Sequence, residues 1–209
     1  MDNHKIIDNF LDRDDFKTLC EIKLKKIKLN ELAVYHNSIH TNGKIISENI
    51  DEKLIKKLHN NYHEKAIELL RKFAPNKVDL YDYSEFHIIE TGANYTFPIH
   101  RDTPNKLLSG VIYLKPEKNK GTFLYSDKYG NNKKEIEWKQ NRAFFFSRSE
   151  HNSWHSYEAD KKSNRLALVY NLMTRNIKDA CKAEGINYHK VCVREFLNQY
   201  LFRYLKTLI

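Results

Sequence analysis

The hydrophobic period of the chain changes twice along its length. Across residues 51–74, Leu54, Leu58, Tyr62, Ala66, Leu69, Leu70 and Phe73 recur every three or four positions, and Pro75 follows. That spacing lines one face of a helix, and a proline, which lacks a backbone N–H, stops it. Lys56, Lys57, Glu64 and Lys65 fill the opposite, solvated face. Upstream, Asp14 and Asp15 suit the positive end of a helix, with Phe16, Leu19, Cys20 and Leu24 at helical spacing behind them. Residues 1–80 are therefore expected to be mostly helical.

From 83 to 172 the period becomes two. The runs 86–89, 108–114, 121–125, 135–138, 142–146 and 165–172 are short and rich in aromatic or branched residues. Turn-forming clusters at 103–105, 116–120, 128–132 and 160–164 separate them. Many short strands at this spacing predict a sandwich or barrel rather than alternating βα units. Beyond 175 the helical period returns. Val193, Phe196, Leu197, Tyr200, Leu201, Tyr204, Leu205 and Leu208 form one stripe. The stripe is expected to pack on the sheet as core, with a homodimer interface as the alternative. The expected fold is mainly β with flanking helices (α+β). A single domain 1–209 would hold a helical support at 1–80, a β core at 83–172 and a helical segment at 175–209.

Composition narrows the picture. With 41% hydrophobic residues the chain can bury a core, which excludes a wholly disordered protein. Its net charge of +9 suits an acidic partner: nucleic acid, an anionic small molecule or an acidic protein. Cys20, Cys181 and Cys192 form no CxxC pair. They read as thiols of a reducing compartment rather than a disulfide framework or zinc knuckle. No signal-like apolar core follows Met1, and no apolar run nears the ~20 residues of a membrane span. A soluble, cytoplasmic protein without a membrane partner is expected.

The residues that carry chemistry lie in the β-rich middle. His100-Arg101-Asp102 is an H-x-D, and on an extended chain positions i and i+2 share a face. Ser153-Trp154-His155 follows, and Arg165 stands ten residues after His155. Arg165 opens an apolar run with no acidic residue in it. If it points inward it needs an anion, because a buried unpaired charge is costly. A bound dicarboxylate would satisfy it through a bidentate contact. Two histidines and one aspartate fit a facial metal triad that leaves adjacent positions open for a keto acid and O2.

The order H-x-D, a downstream W-H, then Arg resembles the Fe(II)/2-oxoglutarate-dependent dioxygenase superfamily, in its prolyl 4-hydroxylase-like branch. The runs Val111-Ile112-Tyr113-Leu114, Gly121-Thr122-Phe123-Leu124-Tyr125 and Asn141-Arg142-Ala143-Phe144-Phe145-Phe146 resemble strands of that branch, and the segment 6–11 with Asp14-Asp15 resembles its N-terminal approach. The resemblance covers 86–172 and, more loosely, the N-terminal third. It implies a double-stranded β-helix (jelly-roll, cupin-like) core. It implies His100, Asp102 and His155 as ligands of Fe(2+), and Arg165 and Tyr113 as the binders of 2-oxoglutarate. With O2, and ascorbate as reductant, the implied reaction hydroxylates a C–H bond, first a prolyl residue of a peptide or protein, and releases succinate and CO2.

Arg101, Arg148, Trp154 and His151, with Thr103 and Asn105, are substrate-side candidates by proximity in sequence. His151 is also a rival distal ligand, although it stands 14 rather than ten residues from Arg165. Where the branch often carries a tyrosine about nine residues before the first ligand, this chain has Glu90 and Thr91. His36 and His40 have helical i,i+4 spacing but no third ligand near them. Three other readings stand beside the hydroxylase. An AlkB-like nucleic-acid demethylase suits the charge, but Asn171 stands where that family tends to carry a second arginine. A hydroxylase of a free amino acid or another small molecule suits the short chain. A non-catalytic jelly-roll binding module would be expected to have lost a ligand.

Overall fold

In the computed structural model the described residues are 4–205, with backbone alone at 199 and 203–205. Among them the strands form two antiparallel sheets that face each other. The major sheet runs β1 (His4–Ile7), β10 (Ala143–Phe146), β7 (Lys106–Lys115), β12 (Arg165–Met173), β5 (Tyr83–Thr91), β3 (Ser38–His40) and β4 (Ile45–Ile46), with β2 (Leu32–Tyr35) also beside β5. The minor sheet runs β6 (Thr96–His100), β11 (Trp154–Glu158), β8 (Thr122–Tyr125) and β9 (Lys134–Ile136). This is the expected jelly-roll core.

Strand β12 shows why the sequence folds this way. It is buried almost throughout, because both faces of the major sheet are covered. Leu166, Leu168, Tyr170 and Leu172 point to one face and join the main core. There they meet Ile55, Leu58, Tyr62, Ala66 and Leu70 of helix α2 (Glu52–Phe73), the stripe read from the sequence. The alternate residues Arg165, Ala167, Val169 and Asn171 line a cavity between the sheets. A period of two thus divides one strand between stability and site. Asp51 caps α2 by accepting from the Lys53 N–H at 2.6 Å. Helix α1 (Arg13–Cys20) docks on α2 through Tyr62, whose hydroxyl donates to Asp15 at 2.8 Å.

The N-terminal third departs from the helical expectation. It holds α1 and α2 but also β1 to β4. These strands have two to four residues each, too short for an alternation to register. Helix α1 ends at Cys20, so Leu24 packs on the core from an irregular segment. Strand β6 was masked by Pro98, which an edge strand tolerates; β6 pairs only with β11.

The C-terminal stripe is corrected. After helix α3 (Ile177–Ala183), helix α4 (Tyr188–Leu205) exposes Val193, Phe196, Leu197 and Tyr200, with Phe196 59% accessible. Its inward edge carries Val191, which is buried, Arg194, Asn198 and Phe202, whose ring lies 5.3 Å from that of Phe97. The helix therefore lies across the mouth of the barrel instead of filling its core. Leu208 lies outside the described residues, as do the side chains of Tyr204 and Leu205. No described helix is long and apolar enough to cross a membrane.

Two predictions follow from this packing. A Cβ on Gly121 would collide with the Ile136 carbonyl across β8 and β9. Gly121→Ala should therefore cost about 1–3 kcal/mol of stability in urea unfolding; an unchanged midpoint would contradict that contact. On α2, the rings of His59 and His63 lie 4.3 Å apart, tilted to each other, and burial, with His63 adding, holds the His59 pKa down at about 4. The unfolded chain binds a proton near 6.5, so stability is fully present above that pH and is lost as pH falls toward 4. The urea midpoint should drop between about pH 7.5 and about pH 5, and His59→Gln should drop less over the same interval.

Candidate active site

Pairing of β6 with β11 sets His100 directly opposite His155, with ring centroids 4.1 Å apart. Each ring is held by the carbonyl two residues before it. The His100 Nδ1–H donates to Pro98 at 3.0 Å, and the His155 Nδ1–H donates to Ser153 at 2.9 Å. Both Nε2 lone pairs are thereby left to face inward as metal ligands would. Asp102 lies two residues beyond β6. Its Oδ1 accepts from Lys106 Nζ at 2.7 Å and its Oδ2 from Ser109 Oγ at 2.6 Å. Its backbone carbonyl accepts from Arg148 Nε at 3.1 Å. One ligand atom from each of His100, Asp102 and His155 lies within 4.8 Å of the others, close enough for one ion to draw them together.

Electrostatics prepare the same three residues. Burial, with His155 alongside, pushes His100 down to about 3, and burial also lowers His155. Burial alone would raise Asp102, but the Lys106 ammonium beside it outweighs that and holds its carboxyl below the usual range. The set is two neutral imidazoles and one carboxylate, the protonation state that metal ligation requires.

Arg165 faces the same cavity from the first position of β12. Among the described residues no carboxylate pairs with it, and its Nη1 is buried without a hydrogen-bond partner. Three rings surround the guanidinium instead: Tyr157 at 3.9 Å, Trp138 at 5.3 Å and Tyr113 at 5.5 Å. Aromatic faces attract a cation by roughly 0.5–2 kcal/mol each but accept none of its in-plane hydrogen bonds. Thr91, the cross-strand neighbour of Arg165, also has a buried hydroxyl without a partner. The cavity that joins the triad to these groups measures about 210 Å³.

The remaining sequence candidates separate clearly. Tyr113 does not line the cavity. Its hydroxyl donates to Thr122 Oγ1 and accepts from the Thr122 N–H, both at 2.9 Å, and its ring stacks on Trp138. It buttresses the cage around Arg165, while Tyr157 is the ring that meets the guanidinium at the cavity wall. Arg148 is not at the mouth: it is fully buried behind Asp102, paired with Glu150 and Glu184. A guanidinium so enclosed holds the loop backbone and is closed to substrate. His151 is exposed in the turn before β11, and the group that could hold a metal contains His155 instead. Arg101 stacks on Trp154 at 4.2 Å and pairs with Glu150 at 2.9 Å. Both line an outer groove of about 290 Å³ beside Thr103, Lys106 and Arg194. Lys106, Ser109, Tyr157, Thr91 and Asn171 complete the cavity and were not singled out as site residues from the sequence. Only the i,i+4 spacing of Asp102 and Lys106 offered a signal.

Several solved structures superpose on this architecture. A prolyl-4-hydroxylase from Pseudomonas putida matches with a TM-score of 0.55 and 14% identity, over 83% of this chain and 93% of that one. An oxidoreductase of the 2OG-Fe(II) oxygenase family from Burkholderia pseudomallei matches with a TM-score of 0.59 and 12% identity, over 82% and 84%. A prolyl hydroxylase from Trichoplax adhaerens, in complex with a peptide fragment of the hypoxia inducible factor oxygen degradation domain, matches with a TM-score of 0.54 and 14% identity, over 84% and 86%. The chain has their fold. In sequence, no family model and no curated protein matches it.

The choice between the two nearby histidines is open to direct test. His155→Ala should abolish stoichiometric Co(II) binding followed by visible absorption, and His151→Ala should retain it. The reverse pattern would move the ligand set onto the turn.

Proposed function

We propose that this chain is an Fe(II)- and 2-oxoglutarate-dependent dioxygenase that hydroxylates an aliphatic C–H bond, with a prolyl ring as the first candidate. The observation that carries this reading is Arg165, a buried cation without an anion among the described residues, on the wall of the cavity that also holds a set of two neutral imidazoles and one carboxylate. Those two features ask for a ligand with a carboxylate at one end and a chelating group at the other. The names of the fold neighbours support the same chemistry.

The donor set fits the metal. Two imidazoles and one carboxylate suit Fe(II) and leave adjacent coordination positions open. With 2-oxoglutarate and O2 the iron would supply the oxidising power that an unactivated C–H bond requires. The balance is substrate, 2-oxoglutarate and O2 in, and hydroxylated substrate, succinate and CO2 out.

The protein's own residues do the rest. His100, Asp102 and His155 would hold the metal, with Lys106 and Ser109 fixing the carboxylate rotamer. Arg165 would take the far carboxylate of the cosubstrate in a bidentate pair. Phe97, Val111, Phe146, Ala167 and Val169 form apolar wall that keeps water from the reacting centre. Substrate would arrive through the outer groove beneath α4.

Anaerobic addition of Fe(II) and 2-oxoglutarate should produce a visible charge-transfer band, and aerobic turnover should release succinate. Arg165→Ala should bind metal but weaken 2-oxoglutarate by about 30- to 150-fold, the loss of about 2–3 kcal/mol from charged hydrogen bonds. Bound iron without a band, or an unchanged 2-oxoglutarate affinity in the variant, would overturn the proposal.

A further inference from the structure

The cavity has a second polar end. Strand β12 turns residues 165, 167, 169 and 171 inward, and six residues of strand separate Arg165 from Asn171 by about 20 Å of backbone. A cosubstrate with four C–C bonds of about 1.5 Å spans only roughly 6 Å, so one anchored on Arg165 does not extend to Asn171. Asn171 is 1% accessible, and its Oδ1 is buried without a partner among the described residues. Its orientation is fixed, because Nδ2 donates to Glu85 Oε2 at 2.9 Å and a carboxylate only accepts. What Asn171 offers the cavity is therefore an acceptor, which is wrong for a carboxylate and right for an N–H.

Lys106 lines the same cavity, on the wall shared with the outer groove. Its ammonium donates once to Asp102, at 2.7 Å, and carries two further donors. Glu85 contributes a second negative charge that favours its charged form. The register aligns Glu85, Asn171 and Ser109 in one row across three strands. An acceptor next to a carboxylate and an ammonium with spare donors thus line one cavity.

We propose that this end binds the head group of a free α-amino acid, its ammonium on Asn171 Oδ1 near Glu85 and its carboxylate on Lys106. The inference rests on the oxygenase reading and narrows its substrate. Charge supports it. Asp102 and Glu85 balance Lys106 and Arg165, and Fe(II) balances the dianionic cosubstrate. The enclosed site is then neutral, and a zwitterion keeps it neutral where a net-charged substrate would leave an uncompensated buried charge. Enclosure supports it too. Helix α4 closes over the groove through Arg194, paired with Glu150 at 3.1 Å, and through Phe202 on Phe97. A peptide running through would have to displace that helix, whereas an amino acid fits beneath it.

The test uses the wild-type protein with Fe(II) and 2-oxoglutarate. Free L-amino acids, proline among them, are compared with their N-acetyl and carboxamide forms and with capped prolyl peptides. Succinate release and anaerobic perturbation of the charge-transfer band are the readouts. At least one free amino acid should raise succinate release and shift the band, and blocking either end should cut kcat/KM by on the order of 100-fold. Asn171→Ala should raise KM for that amino acid at least about 10-fold with kcat changed less than about threefold. Response to capped peptides alone, equal turnover of blocked forms, or an unchanged KM in Asn171→Ala would overturn the inference. A band that ignores every free amino acid overturns this inference alone. No band before substrate is added overturns the oxygenase reading, and this inference with it.

Discussion

A guanidinium buried beside three aromatic rings governs the architecture around it. Removing a cation from water costs several kcal/mol unless an anion and hydrogen bonds replace the lost solvation. Tyr157, Trp138 and Tyr113 replace part of it through their faces, and Tyr157 adds a side-chain hydrogen bond. The arrangement holds because the cage is itself locked: Tyr113 is pinned by Thr122, and the Trp138 indole N–H donates to the Pro116 carbonyl at 2.9 Å. What Arg165 still lacks among the described residues is an anion, and its Nη1 has no acceptor. A carboxylate entering the cavity would meet that need, and in the proposed function a residue that weakens the protein standing alone would become the anchor for a ligand.

The opposite wall is held by charge. Arg148 ties the backbone of Asp102 to Glu150 and Glu184, and Lys77 donates to the Arg148 carbonyl and to Glu184 at 2.7 Å. Burial, with Arg148 nearby, lowers Lys77 to about 8. Glu150 also receives Arg101 and Arg194, so one carboxylate links the Asp102 loop, the groove and α4. This network fixes the loop that carries Asp102, the candidate carboxylate ligand, without entering the cavity. Rigid placement of such a ligand is what a metal site needs from its surroundings.

Strong periodicities and the residues with distinctive chemistry were legible in the sequence. Helix α2, the long strands and the His-Asp-His set with Arg165 all announced themselves by spacing. What was hidden depended on three-dimensional context. The α4 stripe has a flawless helical period, yet period alone does not say which neighbour covers it. Arg148 and Tyr113 sit close in sequence to candidate site residues, but a loop buries Arg148 behind Asp102, and Tyr113, on the same strand face as Ser109 and Val111, is held beyond the cavity by Thr122 and Trp138. Lys106 and Asn171 matter through partners four or more residues away, Asn171 through a cross-strand register with Glu85 that no local pattern encodes.

The central claim is that the His-Asp-His set and Arg165 bind opposite ends of one molecule. A crystal structure of the protein grown anaerobically with Mn(II) and 2-oxoglutarate tests this most directly. The account predicts the metal on His100, Asp102 and His155, with the far carboxylate of the same 2-oxoglutarate paired to the Arg165 guanidinium. A metal held elsewhere, or a cosubstrate whose far carboxylate avoids Arg165, would contradict it.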